Sequence, residues 1–301
     1  MNSVGDYSFS MRTDVPQRKR MAPARVATPA PAQQQSLRLL SYNIQTGIAM
    51  SRFRHYLTHS WKHVLPYPER VQNLNSIAQL VSEFDVVGLQ EVDAGSLRSG
   101  FINLTEYLGM QGRFPHWYDQ TNRDLGAFAQ HSIGVLSRFQ PSEVCEHRLP
   151  GMIPGRGALI AKYGEGNHSL LVLVLHLALS RRARLQQLAY ISDLVNDYPH
   201  VVVMGDLNCA SDSPEMRWFL RHTDLCEPAE GLYTYPSWRP RRTIDHILVS
   251  NSLKVQNTRV LDHCYSDHLP ITMEVVLPRG FRLVKQEPKK LPRDTRIAAW
   301  A

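Results

Sequence analysis

The chain has 301 residues but only four cysteines, Cys145, Cys209, Cys226 and Cys264, far apart and without a CxxC pair. That spacing argues against a zinc ribbon and gives no disulfide framework, so a reducing compartment is expected. Long apolar runs are missing too. No stretch reaches the ~18 residues of a membrane span, and the N-terminal region, rich in Arg, Pro, Ala and Gln, has no apolar leader core. The expected location is the cytoplasm. With 43% hydrophobic and 20% charged residues, the composition is that of a folded protein able to bury a large core.

Basic charge is in surplus, with a net of +7, but it is unevenly spread. Residues 1–36 carry five basic and two acidic side chains, residues 279–301 carry seven and two, and the 22 basic and 23 acidic side chains between them nearly cancel. A basic tail can meet polyanions or an acidic membrane surface, or it can simply be solvated. Peripheral membrane association through the tails therefore stays open. Residues 1–36, with Pro23, Pro29 and Pro31 ahead of three glutamines, read as a disordered extension. Residues 37–278 read as the folded domain and 279–301 as a basic tail.

Hydrophobic patterning predicts strands at 37–44, 84–91, 133–137, 158–163, 169–177, 200–204, 243–249 and 269–276. Helices are expected at about 68–82, with Pro68 in the first turn, and at about 181–196 and 214–221, Ser180 capping the first of these two. Short turns join several strands, so the sheets cannot be purely parallel. Helices on their outer faces give an α/β sandwich.

The apolar strands repeatedly end in groups suited to metal or phosphate. The runs are Tyr42-Asn43-Ile44, Gln90-Glu91-Val92, Leu175-His176-Leu177, Gly205-Asp206-Leu207-Asn208, Ile244-Asp245-His246 and Ser266-Asp267-His268. One such ending is an ordinary cap or turn. Six at domain-scale spacing are hard to obtain from turns alone.

With these motifs the chain resembles the endonuclease/exonuclease/phosphatase superfamily over roughly residues 37–278, Gly-Asp-Leu-Asn and Ser-Asp-His being the strongest part. The resemblance implies a four-layer α/β sandwich, two packed mixed β-sheets flanked by helices, with a Mg²⁺-dependent phosphoester hydrolysis site at one rim. Mn²⁺ is a possible substitute. Hard cations take few protein oxygens and keep several waters, so Glu91, Asn43 and Asp267 are the expected metal ligands. Asp206 is expected to orient or deprotonate the attacking water, and Asn208 to hold that water or a phosphate oxygen. Asp245 and His268 form a pair in which the carboxylate sets the imidazole tautomer, leaving open whether Asp206 or His268 is the base. His176 occupies the position that contacts phosphate or assists the leaving group. Abasic-site endonucleases of the superfamily usually place Tyr at His176 and often Asp at Gln45, which turns the expectation towards the deoxyribonuclease, sphingomyelinase, deadenylase and phosphatase branches.

The loops supply substrate candidates. Arg123, Arg156, Arg184 and Trp238 border the expected rim. Residues 51–63, with three basic residues, three aromatics, three histidines and no acid, form either a lip for bases or lipid or an amphipathic helix packed inward. The expected substrate is a phosphodiester, nucleic acid slightly ahead of phospholipid or a small phosphorylated molecule. No stable protein partner is implied, and a monomer is expected. The non-enzymatic alternative is a silent nucleic-acid- or membrane-binding module. It has no need of Glu91, Asp206, Asn208, Asp245 and His268 together.

Overall fold

Apolar strands joined by short turns and covered by amphipathic helices assemble into two six-stranded sheets. The computed structural model describes residues 34–47, 68–124, 130–151 and 155–288. The first sheet contains β1 (Ser36–Asn43), β2 (Val86–Asp93), β3 (His116–Asp124), β4 (Gln130–Ser137), β11 (Lys254–Val260) and β12 (Ile271–Val276), ordered β11-β12-β1-β2-β4-β3. The second contains β5 (Glu143–Arg148), β6 (Gly157–Tyr163), β7 (Leu170–His176), β8 (Val201–Asp206), β9 (Leu225–Cys226) and β10 (Asp245–Ser250), ordered β5-β6-β7-β8-β10-β9.

Each sheet is mixed, with one parallel pair between antiparallel neighbours. In the first sheet β1 and β2 are parallel, and α1 (Pro68–Val81) lies between them in the chain. In the second β7 and β8 are parallel, with α3 (Arg181–Val195) between them. The inner faces share one core, in which Leu39, Val86 and Val135 meet Leu159, Val172, Val202 and Met204. Outside, α1 and α2 (Leu104–Gln111) cover the first sheet, and α3 and α4 (Pro214–Arg221) cover the second. This is the expected four-layer sandwich.

The folded chain runs past the boundary expected at 278. Phe281 is buried in the inter-sheet core, Lys285 pairs with Asp85 at 2.7 Å, and the Gln286 N–H donates to the Arg138 carbonyl at 2.9 Å. Phe281, with Leu283 packed against the same core, is what draws this basic segment in. At the other end Gln35 clasps the same segment, its amide oxygen accepting from the Leu283 N–H at 3.0 Å. Residues 1–33, 289–301 and the aromatic and histidine-rich run 51–63 lie outside the described residues.

Candidate active site

Strand register creates the site. His176 ends β7 directly opposite Asp206 at the end of parallel β8, and Asp206 in turn faces Asp245 at the start of antiparallel β10. Three neighbouring strands thus place a histidine and two aspartates in one transverse row. Close approach of β7 and β8 depends on Gly205, where a Cβ would lie 2.0 Å from the Leu175 carbonyl oxygen.

The other sheet meets this row from across the core. Asn43, at the end of β1, donates through Nδ2 to Asp206 Oδ2 at 3.2 Å. Beside it on β2, the pairing with β4 is interrupted between Leu89 and Val92, and Glu91 sits there at φ 54°. Such a conformation is unfavourable for a glutamate and clusters at functional sites. Its effect is visible in the burial: Gln90 is enclosed against Ser41, whereas the Glu91 side chain keeps 34% of its surface and lies 4.0 Å from His176 Nε2. Asn208 also has positive φ, at 53°, and its N–H donates to Asp206 Oδ1 at 2.9 Å.

The Ser266-Asp267-His268 loop completes the cluster. Ser266 Oγ donates to the Asn43 carbonyl at 2.7 Å, tying the loop to β1. His268 Nδ1 donates to Asp245 Oδ2 at 2.8 Å, and its Nε2 stands 3.9 Å from Asp206 Oδ2. His176 Nε2 is 3.5 Å from that same oxygen. Asn43, Glu91, His176, Asp206, Asn208, Asp245, Asp267 and His268 are therefore brought to one place.

Burial and crowding set the charges. Burial pushes the Asp206 carboxyl up to about 7, with Asp245 and Glu91 adding to the rise and His268 opposing it. Burial likewise raises Asp267 to about 6, aided by Glu91 and Asp245. For His268, burial works against the cation, but Asp245, Asp206 and Asp267 outweigh it and hold the imidazole at about 10. His176 is driven the other way, by burial first and then by Arg156, His268 and His131, so it is neutral.

A cavity of about 570 Å³ opens beside the row, with Glu91 and His176 among its lining residues. Arg123 and Arg156 line it as well, and so does Arg182. Arg184 does not. Its guanidinium turns between α3 and α4 onto Glu215 Oε1, 2.6 Å away, and onto the carbonyls of Ala178 and Leu179 at 3.3 and 2.5 Å. The helical turn that aims Arg182 outward aims Arg184 inward, which corrects its expected substrate contact. Trp238 is half-buried in the loop before β10 and is not among the cavity's lining residues.

Several supporting residues had escaped the motifs. Thr234 Oγ1 donates to Asp245 Oδ2 at 2.5 Å, and the Tyr235 ring lies 4.9 Å from that of His268. Asn73, on α1, clamps two site loops by donating to the carbonyls of Gly47 at 3.0 Å and Tyr265 at 2.7 Å. Thr234 belongs to the run Thr234-Tyr235-Pro236-Ser237-Trp238, whose mixture of aromatic and polar residues is visible in the sequence, but Asn73 carries no local signal, since only the fold brings it there.

A family model, described as the Endonuclease/Exonuclease/phosphatase family, matches residues 40–268. The chain belongs to the endonuclease/exonuclease/phosphatase family. Its chemistry is accordingly the hydrolysis of phosphoester bonds. Solved structures share the family fold. An endonuclease/exonuclease/phosphatase from Beutenbergia cavernae DSM 12333 is 20% identical with a TM-score of 0.62, over 81% of this chain and 72% of that one. The mannosyl-6-phosphatase of Bacteroides thetaiotaomicron VPI-5482 is 18% identical with a TM-score of 0.60, over 80% of this chain and 100% of that one. The human Nocturnin catalytic domain with bound sulfate anion is 18% identical with a TM-score of 0.59, over 81% of this chain and 95% of that one. No curated protein matches the chain. Among the described residues, no helix is long and apolar enough to cross a membrane.

Two donor sets in this family site could hold a metal. Ligand atoms of Asp206, Asp245 and His268 lie within 4.8 Å of one another. Both His268 nitrogens already face carboxylates, however, and Asp245 Oδ2 accepts from Thr234 and His268. Asn43, Glu91 and Asp267 offer oxygens, the preference of a hard divalent ion, with Asn43 Oδ1 also accepting from the Gln45 N–H at 3.1 Å and Asp267 Oδ1 from Ser266 Oγ at 3.2 Å. Burial first, and the neighbouring carboxylates after it, raise Asp206 and Asp267, and a cation beside them would favour their ionised forms.

Proposed function

We propose that the protein is a Mg²⁺-dependent phosphodiesterase acting by direct attack of water on phosphorus. The observation that carries this reading is the meeting of Asn43 and Glu91 from one sheet with His176, Asp206 and Asp245 from the other, around an oxygen-rich cluster. Asn43, Glu91 and Asp267 would hold the ion, and Mn²⁺ would suit the same oxygens. When bound, the ion supplies charge neutralisation at the phosphoryl oxygens.

Asp206 is the base that orients and deprotonates the water. Its Oδ1 is fixed by the Asn208 N–H, and its Oδ2 lies among Asn43, His176 and His268. His268 carries both ring protons because it lies between two carboxylates, and it offers Nε2–H to the charge that builds on the phosphoryl group. That division of labour makes Asp206, and not His268, the base. Neutral His176 donates a hydrogen bond without adding charge. Arg156 lines the cavity beside Glu91 and His176, and its role in this reading is to bind the scissile phosphoryl group.

A cavity of about 570 Å³ has room for far more than a phosphate, which supports an ester bearing a mononucleotide-sized group. The four cysteines are free thiols, in keeping with work in the cytoplasm. The test is hydrolysis of bis(p-nitrophenyl) phosphate. Turnover should need Mg²⁺, vanish with a chelator while the circular dichroism persists, and drop about 10²-fold or more in Asp206→Ala and His268→Ala. Wild-type rates in both variants would overturn the assignment.

A further inference from the structure

We propose that Arg123 and Arg182 bind a second phosphoryl group on a compact, mononucleotide-sized substrate, at the outer part of the cavity beside the catalytic row. The inference rests on the phosphoesterase reading of that row and adds what the substrate must carry away from the scissile bond.

Three arginines reach the cavity from separate elements: Arg123 from β3, Arg156 from the loop before β6, and Arg182 from the first turn of α3. Glu91 is the sole carboxylate among the described lining residues. The arginines are not equivalent. Burial lowers the proton affinity of Arg156 and the charges of Asp206 and Glu91 oppose that fall, so this arginine belongs to the side of the cavity nearest those carboxylates. Arg123 neighbours Arg156. Its charge opposes that of Arg156, and its Cβ would lie 3.0 Å from a Cβ placed on Gly155. Two like charges side by side are unfavourable until an anion joins them.

Arg182 is also held against electrostatic preference. The first turn of α3 has no acidic residue, and a cation there opposes the helix dipole. Its basic neighbours have partners elsewhere, Arg181 with Glu215 Oε2 at 3.4 Å and Arg184 with Glu215 Oε1 at 2.6 Å. Neither Arg123 nor Arg182 forms an ion pair among the described residues. Planar guanidinium groups match phosphate in bidentate fashion. Leu179, 75% exposed, and Ala183 line the same cavity and offer apolar contact for the organic body of the substrate. A cavity of about 570 Å³ has room for a mononucleotide-sized group.

Two substrates that differ only in the second phosphate test this: thymidine 5′-(p-nitrophenyl phosphate) and its 3′-phosphorylated counterpart. Wild-type kcat/KM should favour the 3′-phosphorylated ester by about tenfold or more, and the ratio should fall towards unity in Arg123→Ala and Arg182→Ala. Both esters are measured on the same preparation, so partial unfolding of a variant cancels from the ratio. A wild-type ratio near one, or a ratio kept in both variants, overturns the proposal. So does faster cleavage of a single-stranded oligonucleotide than of the phosphorylated mononucleotide, since that assigns the cavity to a polymer. Calorimetry with inorganic pyrophosphate gives an arm independent of turnover. Binding should weaken about tenfold in the double variant. If neither ester is hydrolysed but pyrophosphate binding depends on both arginines, the hydrolase reading fails and the anion site stands. If pyrophosphate binds equally well to the double variant, the anion site fails.

Discussion

His268 donates its Nδ1 proton to Asp245 Oδ2 at 2.8 Å, and the same oxygen is held by Thr234 Oγ1 at 2.5 Å. The hydroxyl fixes the carboxylate, the carboxylate fixes the ring, and Nε2 is left facing Asp206. Asp245→Asn keeps the shape but removes the charge that sustains the imidazolium. Steady-state kinetics should show kcat reduced by about 10²–10⁴-fold with KM changed only a few-fold. An unchanged kcat would separate Asp245 from catalysis.

His246 is fully buried with two acceptors, Glu227 Oε1 on Nδ1 and the Cys209 carbonyl on Nε2, each at 2.8 Å. Two acceptors require two ring protons, so this histidine is an imidazolium. Burial opposes the charge, but Glu227 overrides it and raises the proton affinity above the ordinary histidine value. The stabilisation is fully present below the unfolded value of about 6.5 and is lost as pH rises through the higher folded value. Urea titrations should show unfolding free energy decreasing from about pH 6 towards about pH 9, with a shallower slope in His246→Gln. An equal slope in both proteins would sink this account.

Cys209 has 3% of its surface exposed, and burial pushes its thiol up to about 12. The thiolate is the reactive species, so little of it is available near neutrality. In the native protein, mass spectrometry should find Cys209 the last of the four cysteines to be alkylated, and should find it labelled readily after unfolding. Labelling as fast as that of partly exposed Cys264 would contradict the packing.

Phe281 is 7% exposed and meets the rings of His168 and His200 edge-on at 5.8 and 5.2 Å. Ending the chain after Pro288 should leave the melting temperature near that of the full chain, whereas ending it after Pro278 should lower it clearly. Phe281→Ala should cost about 3 kcal/mol in denaturant unfolding, the low end for a buried phenylalanine. Equal stability of the two truncations would return residues 279–288 to the status of a loose tail.

The strands legible in the sequence and those that were not divide by position. β1, β2, β4, β6, β7, β8, β10 and β12 are all interior to their sheets, with neighbours on both sides and long apolar runs. The strands that periodicity did not mark, β3, β5, β9 and β11, are the four sheet edges. An edge such as Lys254–Val260, with alternate residues exposed and charges at Lys254 and Arg259, has too little buried surface to write a pattern. α2 gave no recognisable period because it is buried nearly all round, at Leu104, Thr105, Tyr107, Leu108, Gly109 and Met110, whereas the equally short α4 is buried on one side only. The row of His176, Asp206 and Asp245 was legible because polar residues interrupt buried strands at their ends. The direction of Arg184 was not, because two steps along a helix separate it from outward-facing Arg182 and no local feature marks which of the two turns inward. Asn73 and Thr234 act through contacts that exist only once distant segments meet.

The pairing of Asp245 with Asp206 and of Asp206 with His176 makes the hydrogen-bond ladder a ruler for the chemistry. Spacing between these three groups is set by backbone pitch and is independent of the length of any connecting segment. Segments around the rim can therefore be exchanged to retarget the protein while its reactive geometry is inherited intact. A single residue inserted within β8, by contrast, would turn Asp206 to the opposite face of the sheet and extinguish the centre at a stroke.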